Sequence, residues 1–458
     1  MSVTEPLSSR SVLGSPEKLY ALIALIALSG AFRPLFVGYA DATETTCCGY
    51  SDPARIQVVL GSVYVVALAL CLRQKIWYNA RMVLPGSLIL LIGYAAVSSA
   101  WSSAPDLTLK RFLPLLGSTL VGVYLASRFT LGGFLKVAFV GCFLITSASM
   151  AVGLAFPKNG IQPGGVFWAG LRGVFANKNE LGWFAAFAAL TSFYWIAGLW
   201  GQGRGKVWIG IVALALAALC LVHSMSIGSI IVAVITVAAV AALYCLQTAG
   251  SALMYVLGWV GLLLLCSLVL VGVVPLEELR ATPLLEIFGR DATLTGRIPL
   301  WTLTMDLIAA RPWLGYGYAV ATAEHAPMLQ AYFHVAHVHN GFLQVTLELG
   351  LLGLVLCLLF IGRAASACAS LLMRPPRVFR STFPGALLFL ILLPNSIEVS
   401  LLYGQSLQWC LLVFVTVQAI TDSGNSNRGS GEAVGVGAEF RGTASTLRGC
   451  RPSTTGCP

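Results

Sequence analysis

A chain of 458 residues that is 57% hydrophobic and 10% charged, with a mean hydropathy of +0.84, is excluded from the ordinary soluble domains. Such domains carry about 25% charged residues. The net charge of +10 does not mark a nucleic-acid binder either, because most of the basic residues follow the positive-inside rule of membrane proteins.

The pattern predicts an all-α polytopic membrane helix bundle. Residues 1–18 read as a polar cytoplasmic tail, with no cleavable signal peptide. Apolar runs follow at 19–38, 56–72, 82–100, 112–127, 134–156, 181–199, 207–223, 227–246, 252–274, 340–362, 384–401 and 404–421. Each is near the ~20 residues needed to cross the hydrocarbon. That makes about 12 transmembrane helices, eleven to thirteen allowing for the short second and fourth runs. From Asp422 the chain turns rich in Gly, Ser and Arg, so residues 422–458 are expected to be a disordered cytoplasmic tail. The catalytic domain is then 19–421, with external loops at 157–181 and 275–339.

With the N-terminus inside, seventeen of the 28 Lys and Arg fall on the cytoplasmic side. Seven of the remaining eleven sit in two outside segments: Lys158, Arg172 and Lys178, then Arg280, Arg290, Arg297 and Arg311. All five histidines also fall outside in this topology. Charge held against the positive-inside rule needs another reason.

The twelve cysteines carry little signal. Cys71, Cys142, Cys220, Cys245, Cys266, Cys357 and Cys410 stand singly in apolar runs, as small packing residues do. The vicinal Cys47 and Cys48 lie in an expected outside loop and can oxidise. No pair has the spacing of zinc ligands.

The first exceptional segment, Pro157 to Gly182, reads PKNGIQPGGVFWAGLRGVFANKNELG. Trp168 suits the membrane interface, and Lys158 reads as an interfacial anchor. Arg172, Lys178 and Glu180 sit just before an apolar helix, where charge is costly unless it faces protein or a water-filled cavity. Arg172, in a Gly-flanked re-entrant-looking stretch, is the functional candidate.

The second segment, Arg290 to Gly353, holds His325, His334, His337 and His339. Asn340, Gln344 and Glu348 are spaced four apart and form one polar stripe on an apolar helix. His339 stands at the mouth of that helix and can accept a proton from a hydroxyl. Arg290 and Arg297 are permanently charged forks suited to pyrophosphate. A metal site is the competing reading of the histidines. However, His334, His337 and His339 fall at i, i+3 and i+5, so only the first two share a helical face, and no metallohydrolase motif encloses them. His325 and His334 read as surface or packing residues, and His223 either caps its helix or lines a cavity. A transport path also remains open, since polar residues inside a bundle mark permeation routes too.

These blocks resemble the O-antigen ligase and polymerase superfamily, most closely its ExoQ-type exopolysaccharide polymerases. The hallmark is His339-Asn340, nine residues, then Gly350-x-x-Gly353. GRDATLTGRIPLW with Arg290, Arg297 and Trp301, RPWLGYGY from Arg311 to Tyr318, and RGVFANKNELG from Arg172 to Gly182 are similar to further family blocks. The chain departs at Ile227, where the family often carries Arg or Lys.

The resemblance implies a metal-independent, cofactor-free glycosyltransferase of the lipid-dependent class in the bacterial inner membrane, with its site facing the periplasm. Its donor would be an undecaprenyl-pyrophosphate-linked oligosaccharide, with membrane lipids and a chain-length regulator as further partners. His339 would be the catalytic base or positioning group. Arg172, Arg297, Arg290, Lys178, Asn340, His337 and Glu348 would bind pyrophosphate or glycan. The expected function is exopolysaccharide polymerisation. The alternatives are an O-antigen ligase joining glycan to lipid A-core or protein, and a lipid-glycan flippase or exporter.

Overall fold

The computed structural model describes residues 16–39, 54–74, 84–163, 169–199, 204–249, 297–321, 325, 337–373 and 379–423. The expected span 252–274, Arg290, His334, Trp168, Cys47 and Cys48 lie outside these residues.

The architecture is a helix bundle. In chain order the helices are α1 (Pro16–Leu28), α2 (Ala54–Arg73), α3 (Gly86–Val97), α4 (Pro105–Arg128), α5 (Leu131–Ala155) and α6 (Lys178–Leu199). They continue as α7 (Arg204–His223), α8 (Ile227–Ala249), α9 (Arg297–Ala310), α10 (Gly341–Leu372), α11 (Phe383–Leu392) and α12 (Leu407–Ser423). Seven of the described helices, α2, α4, α5, α6, α7, α8 and α10, are long and apolar enough to cross a membrane. The strands among the described residues are a two-residue pair, Ile161–Gln162 antiparallel to Gly170–Leu171.

Helix starts follow local chemistry. Pro105 opens α4, where its missing N–H costs nothing. The Thr130 hydroxyl accepts from the Gly133 N–H and caps α5. The bundle then sorts its helices by depth. α11 is buried along its whole length, and α12 buries Trp409, Leu412 and Phe414. α2 and α7 bury one stripe and turn Val58, Val65, Leu72, Trp208 and Val212 outward. Outward apolar side chains are what a lipid-facing helix presents.

Aromatic donors tie the buried helices together. The Trp183 indole N–H donates to the Leu390 carbonyl at 3.0 Å, and that of Trp409 to the Thr119 hydroxyl at 2.9 Å. In a dry interior such donors need partners. Cys71, Cys142, Cys220, Cys357, Cys368 and Cys410 are buried and unbridged, which fits packing.

Three expected spans take a different form, and each change shapes the site. The run 19–38 is not one helix. It ends at Leu28, passes through left-handed Gly30 and Phe32, and resumes as a short turn at Arg33–Val37. The Phe32 N–H goes to the Val174 carbonyl at 2.8 Å instead of to its own helix. The run 384–401 stops at Leu392, continues as a 3-10 turn over Leu393–Ser396, and then leaves helix altogether. The run 340–362 extends to Leu372 but kinks at Gly350, whose φ is 64°. There the loop bearing Pro312 and Trp313 crosses so closely that any Cβ on Gly350 would collide with the Trp313 carbonyl. The crossing supplies the hydrogen bonds that the kink removes, with Leu351 N–H donating to the Pro312 carbonyl at 2.8 Å and Gly317 N–H to Glu348 at 2.8 Å. The spacing of the two glycine blocks is thus a packing device.

Candidate active site

Where the first span breaks and the α11 run ends, a cavity of about 730 Å³ opens inside the bundle. Irregular backbone at membrane depth is tolerated where it lines such a cavity. Arg33, Arg111, Glu180, Arg297, His337, His339, Gln344, Glu348 and Glu398 contribute to its wall.

The histidine turn is fixed from three sides. The Asn340 side chain accepts from the N–H groups of Phe342 and Leu343 and caps α10, while its own amide donates to the Ser396 carbonyl at 3.3 Å. The Trp301 indole on α9 donates to the Val338 carbonyl at 2.9 Å. The Gln344 side-chain oxygen accepts from the Val338 N–H at 3.3 Å. Gly341 must be glycine for contact, since a Cβ there would run into the Asn395 amide oxygen. Held in this way, His339 adopts φ 50°. A left-handed non-glycine residue is uncommon, and such strain gathers at functional sites.

Opposite stands Glu398. Asn395 holds its loop with four side-chain bonds, donating to the Ile391 carbonyl and the Ser400 hydroxyl and accepting from the Ser400 and Leu401 N–H groups, all within 2.9 Å. The Glu398 carboxylate bridges two partners. Oε2 accepts from His339 Nδ1 at 3.1 Å, and Oε1 accepts from the Arg297 guanidinium at 3.2 Å. Burial alone would raise this carboxyl. The hydrogen bond and charge of His339, with the charge of Arg297, outweigh it and hold the group at about 2. An ionised carboxylate only accepts, so His339 Nδ1 carries the proton of that bond. In the neutral ring the lone pair is then on Nε2, as in an acid-oriented catalytic base.

His337 has a different character. Its Nδ1 accepts the His339 backbone N–H at 3.3 Å, and the two rings lie 4.2 Å apart. Burial, then the neighbouring charges of His339 and Arg297, push it down to about 3 despite Glu398. It is a neutral neighbour that keeps the His339 ring in place.

His337, His339 and Glu398 offer three ligand atoms within 4.8 Å of one another. Sequence spacing alone did not bring these three together as a cluster. Two features oppose a cation there. The Arg297 guanidinium already occupies Glu398, and the His339 Nδ1 is bonded to the same carboxylate.

Of the residues singled out in the sequence, Glu180, Arg297, His337, His339, Gln344 and Glu348 line the cavity together. Glu348 meets the stripe expectation, but its Oε1 takes the Gln344 amide. Asn340 is 1% exposed and serves as the cap, not as a wall of the cavity. Arg172 and Lys178 are absent from the cavity wall. Arg172 is 7% exposed; its Nε donates to the Asn159 carbonyl at 2.8 Å and its guanidinium lies 4.4 Å over the Tyr39 ring. The Lys178 N–H donates to the Gln162 side chain at 2.9 Å, at the start of α6. His325 stacks edge-on against Tyr316, and His223 bonds the Leu219 carbonyl of its own helix, a capping role.

Sequence reading missed Glu398 and Arg33. The signal for Glu398 was a lone acid at the end of an apolar run, which is by default a functional group at membrane depth.

Two comparisons bear on this arrangement. The chain is 27% identical over 340 residues to the exopolysaccharide production protein ExoQ of Rhizobium meliloti (strain 1021), covering 68% of this chain and 73% of that one. A family model described as O-antigen ligase matches residues 212–358, which include His339 and Arg297 and end before Glu398. The likeness to the O-antigen ligase and polymerase superfamily, with its ExoQ-type members, is therefore shown by both a family match and a relative.

Proposed function

We propose that this chain is an exopolysaccharide polymerase that transfers undecaprenyl-pyrophosphate-linked oligosaccharide repeats at the outer face of the bacterial inner membrane, without a metal. The observation that carries the reading is the His339–Glu398–Arg297 group in the cavity wall.

The geometry supports the following chemistry. An acceptor hydroxyl attacks the anomeric carbon of the donor. His339 Nε2 takes the hydroxyl proton, and Glu398 at Nδ1 stabilises the imidazolium that forms. The bond from the anomeric carbon to the diphosphate oxygen breaks, and its electron pair leaves with the lipid diphosphate. Arg297 spends one N–H on Glu398 and has further donors in its fork for the leaving group. Clamping developing charge in a dry site is a large share of such catalysis. Displacement from the opposite face inverts the sugar carbon.

A polymerase and a ligase differ here in the acceptor alone, and likeness to an exopolysaccharide production protein favours the polymerase. A chain-length regulator would act on product size from outside this cavity. Incubation of the purified protein with one defined lipid-linked repeat in EDTA tests the reading. A ladder of products with released lipid diphosphate is expected. Loss of the ladder in EDTA and its return with added divalent metal would overturn the metal-free mechanism.

A further inference from the structure

We propose that a second polar centre in the same cavity, built from Arg33, Glu180 and Gln405, binds the hydroxyls of the acceptor sugar; this rests on the glycan-transfer reading above. None of these three residues takes part in the His339 group.

The broken first span creates this centre. Left-handed Gly30 and Phe32 turn the chain so that Arg33 enters the cavity wall, and its guanidinium donates to the Gln405 side-chain oxygen at 2.8 Å. Strained, unwound backbone inside a membrane bundle is kept where it serves a ligand. Glu180 stands at the start of α6, its N–H bonded to the Asn177 side chain at 2.9 Å, within charge range of both Arg33 and Glu398. The centre therefore shares one site with the base. Asn179 accepts from the Ser226 hydroxyl at 3.0 Å, and Ser229 stands 2.9 Å from Ser226. Phe32, Trp183 and Tyr403 add aromatic wall.

The ligand class follows from what is missing. Among the described residues, Glu180 Oε2 is buried with no hydrogen-bond partner. Gly30 lies beside it, where a Cβ would stand 3.9 Å away. An unpaired buried acceptor calls for a donor. A sugar hydroxyl donates; an ionised diphosphate has no proton to give. This centre surrounds its Arg33 and Glu180 charges with the amides of Gln405 and Asn179 and the hydroxyls of Ser226 and Ser229, which the His339–Glu398–Arg297 group lacks. The first suits a glycan and the second a leaving anion.

The test measures two quantities on the purified protein. One is the Kd of undecaprenyl diphosphate. The other is the KM for a lipid-free repeat oligosaccharide used as acceptor. Glu180→Gln is expected to raise the acceptor KM about tenfold or more, the scale of a lost hydrogen bond to a charged group. The Kd of undecaprenyl diphosphate should stay at the wild-type value. Gln405→Ala should give the same split and covers the case in which Glu180→Gln does not fold. An unchanged acceptor KM in a folded variant, or a Kd that weakens in step with KM, would overturn the proposal. A wild-type protein that neither binds undecaprenyl diphosphate nor transfers sugar would instead sink the transfer reading itself.

Discussion

Arg172 and Arg297 look alike in the sequence, each in an outside loop that breaks the charge rule, but they end in different surroundings. Arg172 is closed in. A backbone carbonyl takes its Nε, the Tyr39 ring covers its face, and the Tyr39 hydroxyl donates to the Gly173 carbonyl at 2.8 Å, clasping the loop. Arg297 keeps 17% of its side chain open to the cavity and shares Glu398 with His339. The first arginine shapes a loop; the second faces the space where chemistry can occur. Charge against the membrane rule thus picks out both arginines, and their neighbours decide which of them faces the cavity.

Substitutions sharpen that contrast. His339→Ala removes the proposed base and should cut the transfer rate by about 10²–10⁴-fold, with the protein still in the membrane. Initial rates on a defined donor measure this. Glu398→Gln leaves the imidazole without its orienting charge and should cost roughly 10- to 100-fold in kcat, with donor affinity less affected. An equal loss in both would mean that Glu398 acts through Arg297 alone.

The two arginines should separate cleanly under Lys substitution. Arg297→Lys loses the planar fork and should weaken undecaprenyl diphosphate binding by about tenfold. Arg172→Lys should lower thermal stability by roughly 1–2 kcal/mol, through the lost bond and altered ring contact, and leave the Kd unchanged. A donor-binding defect in Arg172→Lys at normal stability would break the comparison.

The smallest effect is in pH. Glu398 is held at about 2 against an ordinary 4.5, so its stabilising contribution is whole above 4.5 and fades as pH falls toward 2. His337 is held at about 3 against an ordinary 6.5, so its penalty for protonation grows as pH falls from 6.5 toward 3. Thermal stability should decline across that acid window, and His337→Asn should flatten the upper part of the decline. An unaltered slope in His337→Asn would show that the imidazole is not the group being protonated.

Much of this was legible in advance because hydropathy and spacing are local. The helix bundle, the buried stripe of Gln344 and Glu348, and the position of His339 at a helix mouth all follow from runs of residues close in sequence. What escaped is non-local. Glu398 reaches His339 from 59 positions away. Arg33 was hidden inside a run that reads as a continuous span, because nothing nearby announces that Val174 will take the Phe32 N–H. Asn340 shows the opposite limit. A polar residue beside a histidine at a helix mouth reads as a ligand for substrate, but a helix start needs a cap just as much.

A structure of the protein with undecaprenyl diphosphate bound tests the central claim most directly. The account predicts the diphosphate within hydrogen-bond reach of Arg297 in the 730 Å³ cavity, beside His339, with Arg172 still stacked on Tyr39. A diphosphate seated on Arg172 and Lys178, with His339 and Glu398 in a separate space, would contradict it.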